Sequence, residues 1–197
     1  GLVGEVIQVW RPRELNTHET EWGFSCMSYE ISGALGIKMA NPDKEVISFI
    51  GDGSYLLNNS DIYSSVITKN KLIIIVCDNG GFAVINRLQI FKGGKEFNNL
   101  LKSSNTPGLV GVNFAKHAES MGAKSEEVSS ISDLEEAFKR AKKSDVTYVI
   151  SIKTQPYQWL EGSSFWDSPT LEIPTTEENK EALKLYKEGK SKQRQGV

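Results

Sequence analysis

Residues 72–77 form an apolar run, rich in isoleucine, with no polar alternation. A strand wetted on one face alternates apolar and polar side chains, so an unbroken run of this kind belongs to a strand covered on both faces. Residues 46–50 and 146–152 read as two further strands of the same type. Helical segments separate them. Residues 26–40 are rich in small residues, with Gly33, Ala34 and Gly36 allowing close approach of a neighbour, and residues 59–69 carry Ile62 and Val66 four apart. Residues 113–121 place Phe114, Ala118 and Met121 at helical spacing before a Gly122 stop. Ser132 and Glu135 form a capping box that opens a helix with Leu134, Ala137, Phe138 and Ala141 on one face. The order helix–strand–helix–strand–helix–helix–strand predicts an α/β, doubly wound, mainly parallel sheet with helices on both faces.

The chain of 197 residues suits one domain with extras. Residues 23–155 are expected to form that domain. Residues 1–22 read as an irregular entry linker broken at Arg11-Pro12-Arg13, and residues 156–197 as an arm. In the arm, Tyr157, Trp159, Phe165 and Trp166 surround Gly162. It either docks on another subunit or packs on its own domain. Thr175 and Glu178 form a second capping box, starting a charged helix to about Lys187 and then a frayed end from Gly189. A net charge of −2 gives no support for a nucleic-acid partner. No apolar run approaches the ~20 residues of a membrane span. Cys26 and Cys77 sit in apolar contexts without metal-ligand spacing and read as core residues of a reduced, cytoplasmic protein. The chain opens on Gly1 rather than methionine, and residues 1–9 are no signal peptide, so a piece of a longer protein is expected.

Chemistry concentrates at the ends of two predicted strands. Gly51-Asp52-Gly53-Ser54 follows the first, and Asp78-Asn79-Gly80-Gly81 follows the second. Ligands of open α/β sheets bind at the carboxyl ends of strands. Glycines at 51 and 53 admit a ligand close to the backbone, and backbone N–H groups at such a turn favour an anion. Asp52 and Asn79 offer hard oxygens, which together with a bound diphosphate are the usual way to hold Mg²⁺. Each motif alone reads as an ordinary turn. Their pairing is more telling, since both follow apolar strands and 25 residues lie between Gly53 and Asn79. Neither is a P-loop, which ends in Lys-Ser/Thr, and Leu56 breaks a Gly-x-Gly-x-x-Gly pattern.

These two motifs, their spacing and the upstream Gly23-Phe24-Ser25-Cys26-Met27-Ser28-Tyr29-Glu30 resemble the thiamine-diphosphate-dependent enzymes. Trp10-Arg11-Pro12-Arg13, residues 23–30 and residues 82–89 resemble the branch that hydrolyses a carbon–carbon bond of a cyclic 1,2-diketone in myo-inositol degradation. The resemblance covers roughly residues 5–170. It implies the family's diphosphate-binding fold, with thiamine diphosphate and Mg²⁺ as cofactors. It places Asp52, Asn79 and the Gly81 carbonyl on the metal, Gly51, Gly53 and Ser54 around the diphosphate, Met27 against the aminopyrimidine, and Phe82 beside the cofactor. Met27 reads equally well as a core residue at a helix start. Two features depart from the family: Ser28 stands where many relatives have glycine, and the loop 92–99 with Gly93-Gly94 differs near the expected lid at 90–107. The family's catalytic glutamate comes from a pyrimidine-binding domain, expected on a missing segment or a partner subunit of a homodimer or homotetramer. Glu19, Glu21 and Glu30 do not match its motif.

Four further residues bear on the site. His18 is a candidate substrate or proton-relay residue, and His117 reads as a surface or edge histidine. Asn86 and Gln89 either line the substrate side or form a solvated face. The implied activity is the diketone hydrolase. The alternatives are an acetohydroxyacid synthase-like carboligase, a 2-oxoacid decarboxylase, a non-catalytic subunit of the same fold, or a generic nucleotide binder.

Overall fold

A computed structural model describes residues 2–21, 23–106, 111–160 and 171–193. Its centre is a four-stranded, wholly parallel sheet: β1 (Ile47–Gly51), β2 (Ile73–Asp78), β3 (Lys124–Val128) and β4 (Tyr148–Lys153), in the order β1-β2-β4-β3. Eight helices accompany it among the described residues: α1 (Leu2–Val9), α2 (Tyr29–Ala40), α3 (Asp52–Leu57), α4 (Ser60–Ile67), α5 (Ala83–Phe91), α6 (Phe114–Ser120), α7 (Ile131–Lys143) and α8 (Glu177–Lys192).

Alternate residues of β2 feed two separate cores. Ile74 and Val76 pack with Ile31 and Leu35 of α2, Tyr55, Ile62, and Phe114 and Ala118 of α6. Ile73 and Ile75 pack on the opposite face with Ala137 and Ala141 of α7 and with Ile150 of β4. Each buried isoleucine contributes about 1.5–3 kcal/mol of apolar transfer, so β2 anchors both layers. This matches the expected doubly wound class with helices on both faces.

Several local features differ from the sequence-based expectations. The first 22 residues are not irregular throughout, because Leu2–Val9 is helical and lies against β1. Trp10 then meets Phe49 edge-on, with ring centroids 6.0 Å apart. α2 begins at Tyr29 rather than Cys26, because Ser28 is left-handed (φ 79°) and interrupts the helix. Cys26 is exposed rather than core, and Cys77 is half-buried. Gly-Asp-Gly-Ser is not a free turn, since α3 starts at Asp52 directly after β1. β3 has no counterpart among the expected strands: it is an edge strand of lysine, serine and glutamate with only Val128 buried. Such charges suit an unpaired edge. The caps also shift. Ser130, not Ser132, accepts the Asp133 N–H at 3.1 Å. Thr176, not Thr175, accepts the Asn179 N–H at 3.2 Å. α8 continues through Gly189 to Lys192, past the expected frayed end. Gly162, Phe165 and Trp166 of the aromatic arm lie outside the described residues. No helix among the described residues is long and apolar enough to cross a membrane.

Candidate functional site

The ladder sets the site. Gly51 pairs with Cys77 on the neighbouring strand, so Asp52 emerges beside Asp78 at the carboxyl edge of the sheet. Asp78 in turn pairs with Lys153 on β4. Asp52 and Asp78 are both buried. Burial, and next the neighbouring Asp78 carboxylate, push the Asp52 carboxyl up to about 6, while backbone N–H groups of Gly81, Gly53 and Asn79 pull it partway back.

Three oxygen-bearing groups converge here. With the side-chain amide of Asn79 oriented to satisfy its neighbours, its nitrogen donates to the Gly81 carbonyl at 2.9 Å and to Asp52 Oδ1 at 3.2 Å. A positive N–H dipole therefore sits between a carboxylate and a carbonyl, where a cation would be welcome. Rotation of the amide by half a turn presents its oxygen to the same point, giving three hard oxygens. That donor set suits Mg²⁺ and lacks the imidazole or thiolate that zinc prefers. Among the described residues no group of three or more His, Cys, Asp or Glu side chains forms an alternative metal centre.

The Gly81 carbonyl is held by its surroundings. Gly81 bridges Leu100, the Phe82 N–H donates to the Asn99 carbonyl at 2.7 Å, and the Leu101 N–H donates to the Gly80 carbonyl at 2.8 Å. The Phe82 ring packs on Gly53 so closely that a Cβ there would fall 2.5 Å from it. Gly53 and Phe82, expected at the cofactor, are thus in direct contact. Gly51 and Ser54 flank Asp52 and Gly53 at the β1–α3 junction.

Met27 is exposed, in the turn before α2. The turn is pinned by a residue that sequence reasoning leaves without a role. The Glu21 carboxylate accepts the Phe24 N–H at 2.7 Å and the Cys26 N–H at 2.6 Å. Those bonds hold its carboxyl below the usual range. The following Ser28 is buried at a left-handed φ, which costs a non-glycine residue about 1–2 kcal/mol. Ser28→Gly is therefore expected to raise stability by about 0.5–1 kcal/mol, after the greater chain entropy that glycine loses on folding. Urea unfolding of the two proteins measures it, and a destabilised variant would refute this account of the strain.

Asn86 and Gln89 neither form a solvated face nor stand free at a substrate. Asn86 is buried and donates to Glu96 Oε1 at 3.0 Å. Gln89 Nε2 donates to the Lys95 carbonyl at 2.7 Å and its Oε1 accepts from Asn99 Nδ2 at 2.6 Å. Both strap the loop 92–99 onto α5. From the other side, Asn179 of α8 donates to the Gly93 carbonyl at 2.8 Å. His117 is half-buried, its Nδ1 2.9 Å from the hydroxyl of the buried Tyr55 on α3. His18 lines a cavity of about 480 Å³ at the β1 edge, with Trp10, Tyr29, Glu30 and Phe49. None of Asp52, Gly53, Asn79 and Gly81 lines that cavity, so the structure does not bring His18 to the Asp52 cluster.

Comparison with known proteins identifies the family of this fold. Residues 2–152 match the family model described as thiamine pyrophosphate enzyme, C-terminal TPP binding domain. A 3D-(3,5/4)-trihydroxycyclohexane-1,2-dione hydrolase from Bacillus licheniformis is 35% identical over 184 residues, covering 93% of this chain and 29% of the relative. The hydrolase of that name from Shouchella clausii is 36% identical over 183 residues, covering 92% and 28%. The chain thus spans less than a third of the length of these relatives. Among solved structures, the thiamine diphosphate-dependent 4-hydroxybenzoylformate decarboxylase of Rhodococcus jostii RHA1 aligns with a TM-score of 0.55 and 28% identity, over 66% of this chain and 23% of that one.

Proposed function

Because this chain belongs to the thiamine pyrophosphate enzymes and carries their C-terminal TPP-binding domain, we propose that it is the cofactor-binding part of a Mg²⁺-dependent carbon–carbon hydrolase. Its substrate in this reading is a cyclic 1,2-diketone, trihydroxycyclohexanedione, of myo-inositol degradation. The observation that carries the reading is the convergence of Asp52 Oδ1, the Gly81 carbonyl and the Asn79 amide on one point. The names of the relatives supply the substrate.

Thiamine diphosphate, when bound, supplies the nucleophilic carbon that opens a C–C bond next to a carbonyl. This chain's residues bind and orient it. Asp52, Asn79 and the Gly81 carbonyl hold Mg²⁺. Gly51, Gly53 and Ser54 receive the diphosphate through backbone N–H and hydroxyl groups. Met27 meets the aminopyrimidine through its backbone, and Phe82, packed on Gly53, closes one side. Glu21 fixes the turn that presents Met27. The glutamate that activates the pyrimidine ring comes from a further segment or a partner subunit, within a homodimer or homotetramer of cytoplasmic location. With the cofactor bound, addition of one water across the bond between the two carbonyl carbons would leave one as a carboxylate and the other as an aldehyde of a single open chain.

A second reading, a 2-oxoacid decarboxylase or acetohydroxyacid synthase-like carboligase, is favoured by the likeness to the Rhodococcus decarboxylase. Calorimetry of thiamine diphosphate binding with Mg²⁺ or with a chelator tests the site, and a substrate panel on the assembled enzyme tests the reaction. The expected outcome is Mg²⁺-dependent binding, lost in Asp52→Ala, with ring opening of the diketone. Loss of CO₂ from 2-oxoacids without ring opening would select the second reading. Cofactor binding that survives Asp52→Ala would overturn the site assignment.

A further inference from the structure

The last rung of the β2–β4 ladder sets Lys153 against Asp78, directly before the Asn79–Gly81 loop. Asp78 is buried, whereas the Lys153 side chain is 66% exposed and reaches inward to form an ion pair with Asp78 Oδ2. The two oxygens of Asp78 divide their work. While Oδ2 meets the ammonium, Oδ1 accepts the Gly80 N–H at 3.0 Å and the Asp78 backbone carbonyl accepts the Thr154 N–H at 2.8 Å. Gly80 is left-handed (φ 81°), and its turn directs Asn79 and Gly81 back toward Asp52.

We propose that Lys153 is a positioning residue for the metal loop: it fixes the Asp78 carboxylate so that the opposite oxygen captures the Gly80 N–H, which holds the Asn79 amide and the Gly81 carbonyl at one point with Asp52. This inference rests on the Mg²⁺ reading of that point. Two carboxylates lie buried side by side here, and only Asp52 is offered to the metal. Lys153 occupies the other, so the loop is ordered before the ion arrives. Exposed ion pairs contribute little, but the Asp78 end of this one is buried and also holds a backbone donor.

The sign of the metal effect separates positioning from bulk charge. A lysine acting only as a nearby positive charge repels Mg²⁺, so its removal would tighten binding. A positioning lysine gives the opposite result. In Lys153→Met, the Mg²⁺ concentration needed for thiamine diphosphate binding is expected to rise by about 10–100-fold, the usual effect of losing a partner that orients a metal ligand. Amide exchange at Gly80, followed without metal or cofactor, is expected to accelerate by about fivefold to tenfold, as loss of one hydrogen bond implies. Lys153→Arg, which keeps the charge and a donor, is expected to restore both. Unchanged or tighter Mg²⁺ dependence in Lys153→Met, with Gly80 exchange unaltered, overturns the proposal. If the unsubstituted chain binds cofactor equally with and without Mg²⁺, the metal reading fails instead, and Gly80 exchange still decides whether Lys153 orders the loop.

Discussion

Asp52→Asn is expected to stabilise the chain without Mg²⁺ at neutral pH while removing its capacity for the ion. Asp52 is buried beside Asp78, and its carboxyl is raised from 3.8 to about 6. An acid raised on folding binds its proton more tightly in the native state. Its stabilising contribution is therefore complete below about pH 4 and is lost as pH rises through about 6. A rise of that size corresponds to at most about 3 kcal/mol, so about 1–3 kcal/mol is the expected cost of ionised Asp52 at pH 7. Asparagine keeps an acceptor for the neighbouring N–H groups and carries no charge. The variant should match the unsubstituted chain at pH 4 and exceed it by about 1–3 kcal/mol at pH 7, in urea unfolding without metal. Saturating Mg²⁺ with cofactor reverses the order, since a ligand at about a thousandfold its Kd adds about 4.1 kcal/mol to the protein that binds it. A variant no more stable than its parent at pH 7 would mean that burial of this carboxylate carries no cost.

That cost explains why part of this site is legible in the residues themselves. A carboxylate placed just after a buried strand is a poor choice for stability, so Gly51-Asp52-Gly53-Ser54 stands out beside the apolar run that precedes it. β2 is equally plain, because both of its faces are buried and its composition has no reason to alternate. The groups that are not legible depend on contacts made at long range. Lys153 and Asp78 meet only because β4 inserts between β2 and β3, a placement that local composition does not encode. Glu21 holds the Phe24 and Cys26 N–H groups through a turn with no regular periodicity. Asn86 and Gln89 lie on α5, but their partners lie in the loop 92–99, which has no pattern of its own. β3 is hidden for the opposite reason to β2: as an edge strand it carries charge where a strand signal is sought. His18 depends on long-range placement too, since the chain folds it against a cavity that Asp52, Gly53, Asn79 and Gly81 do not line.

Gly81→Ala is expected to be among the most damaging single substitutions outside the two cores. Gly81 has φ 144°, a conformation that side-chain-bearing residues rarely adopt, and an added Cβ would lie 2.4 Å from the Asn99 carbonyl oxygen and 3.1 Å from Leu100 Cα. Those neighbours are backbone, and the Phe82–Asn99 and Leu101–Gly80 hydrogen bonds hold them in place. The segment 99–101 must move, and both bonds go with it. Strain of about 1–3 kcal/mol and overpacking of similar size predict a loss of about 2–6 kcal/mol. Gly80→Ala supplies the control. Gly80 is also left-handed, at φ 81°, but nothing lies within 4 Å of its would-be Cβ. Only the conformational penalty of about 1–2 kcal/mol applies there. The two variants also separate in function. Displacing Gly81 moves a carbonyl that meets the Asn79 amide, so Mg²⁺-dependent cofactor binding is expected to disappear in Gly81→Ala and to persist in Gly80→Ala. Chemical denaturation paired with Mg²⁺ titration of cofactor binding measures both effects. Equal stability and equal binding in the two variants would show that the Gly81–Leu100 bridge neither constrains the loop nor aims its carbonyl.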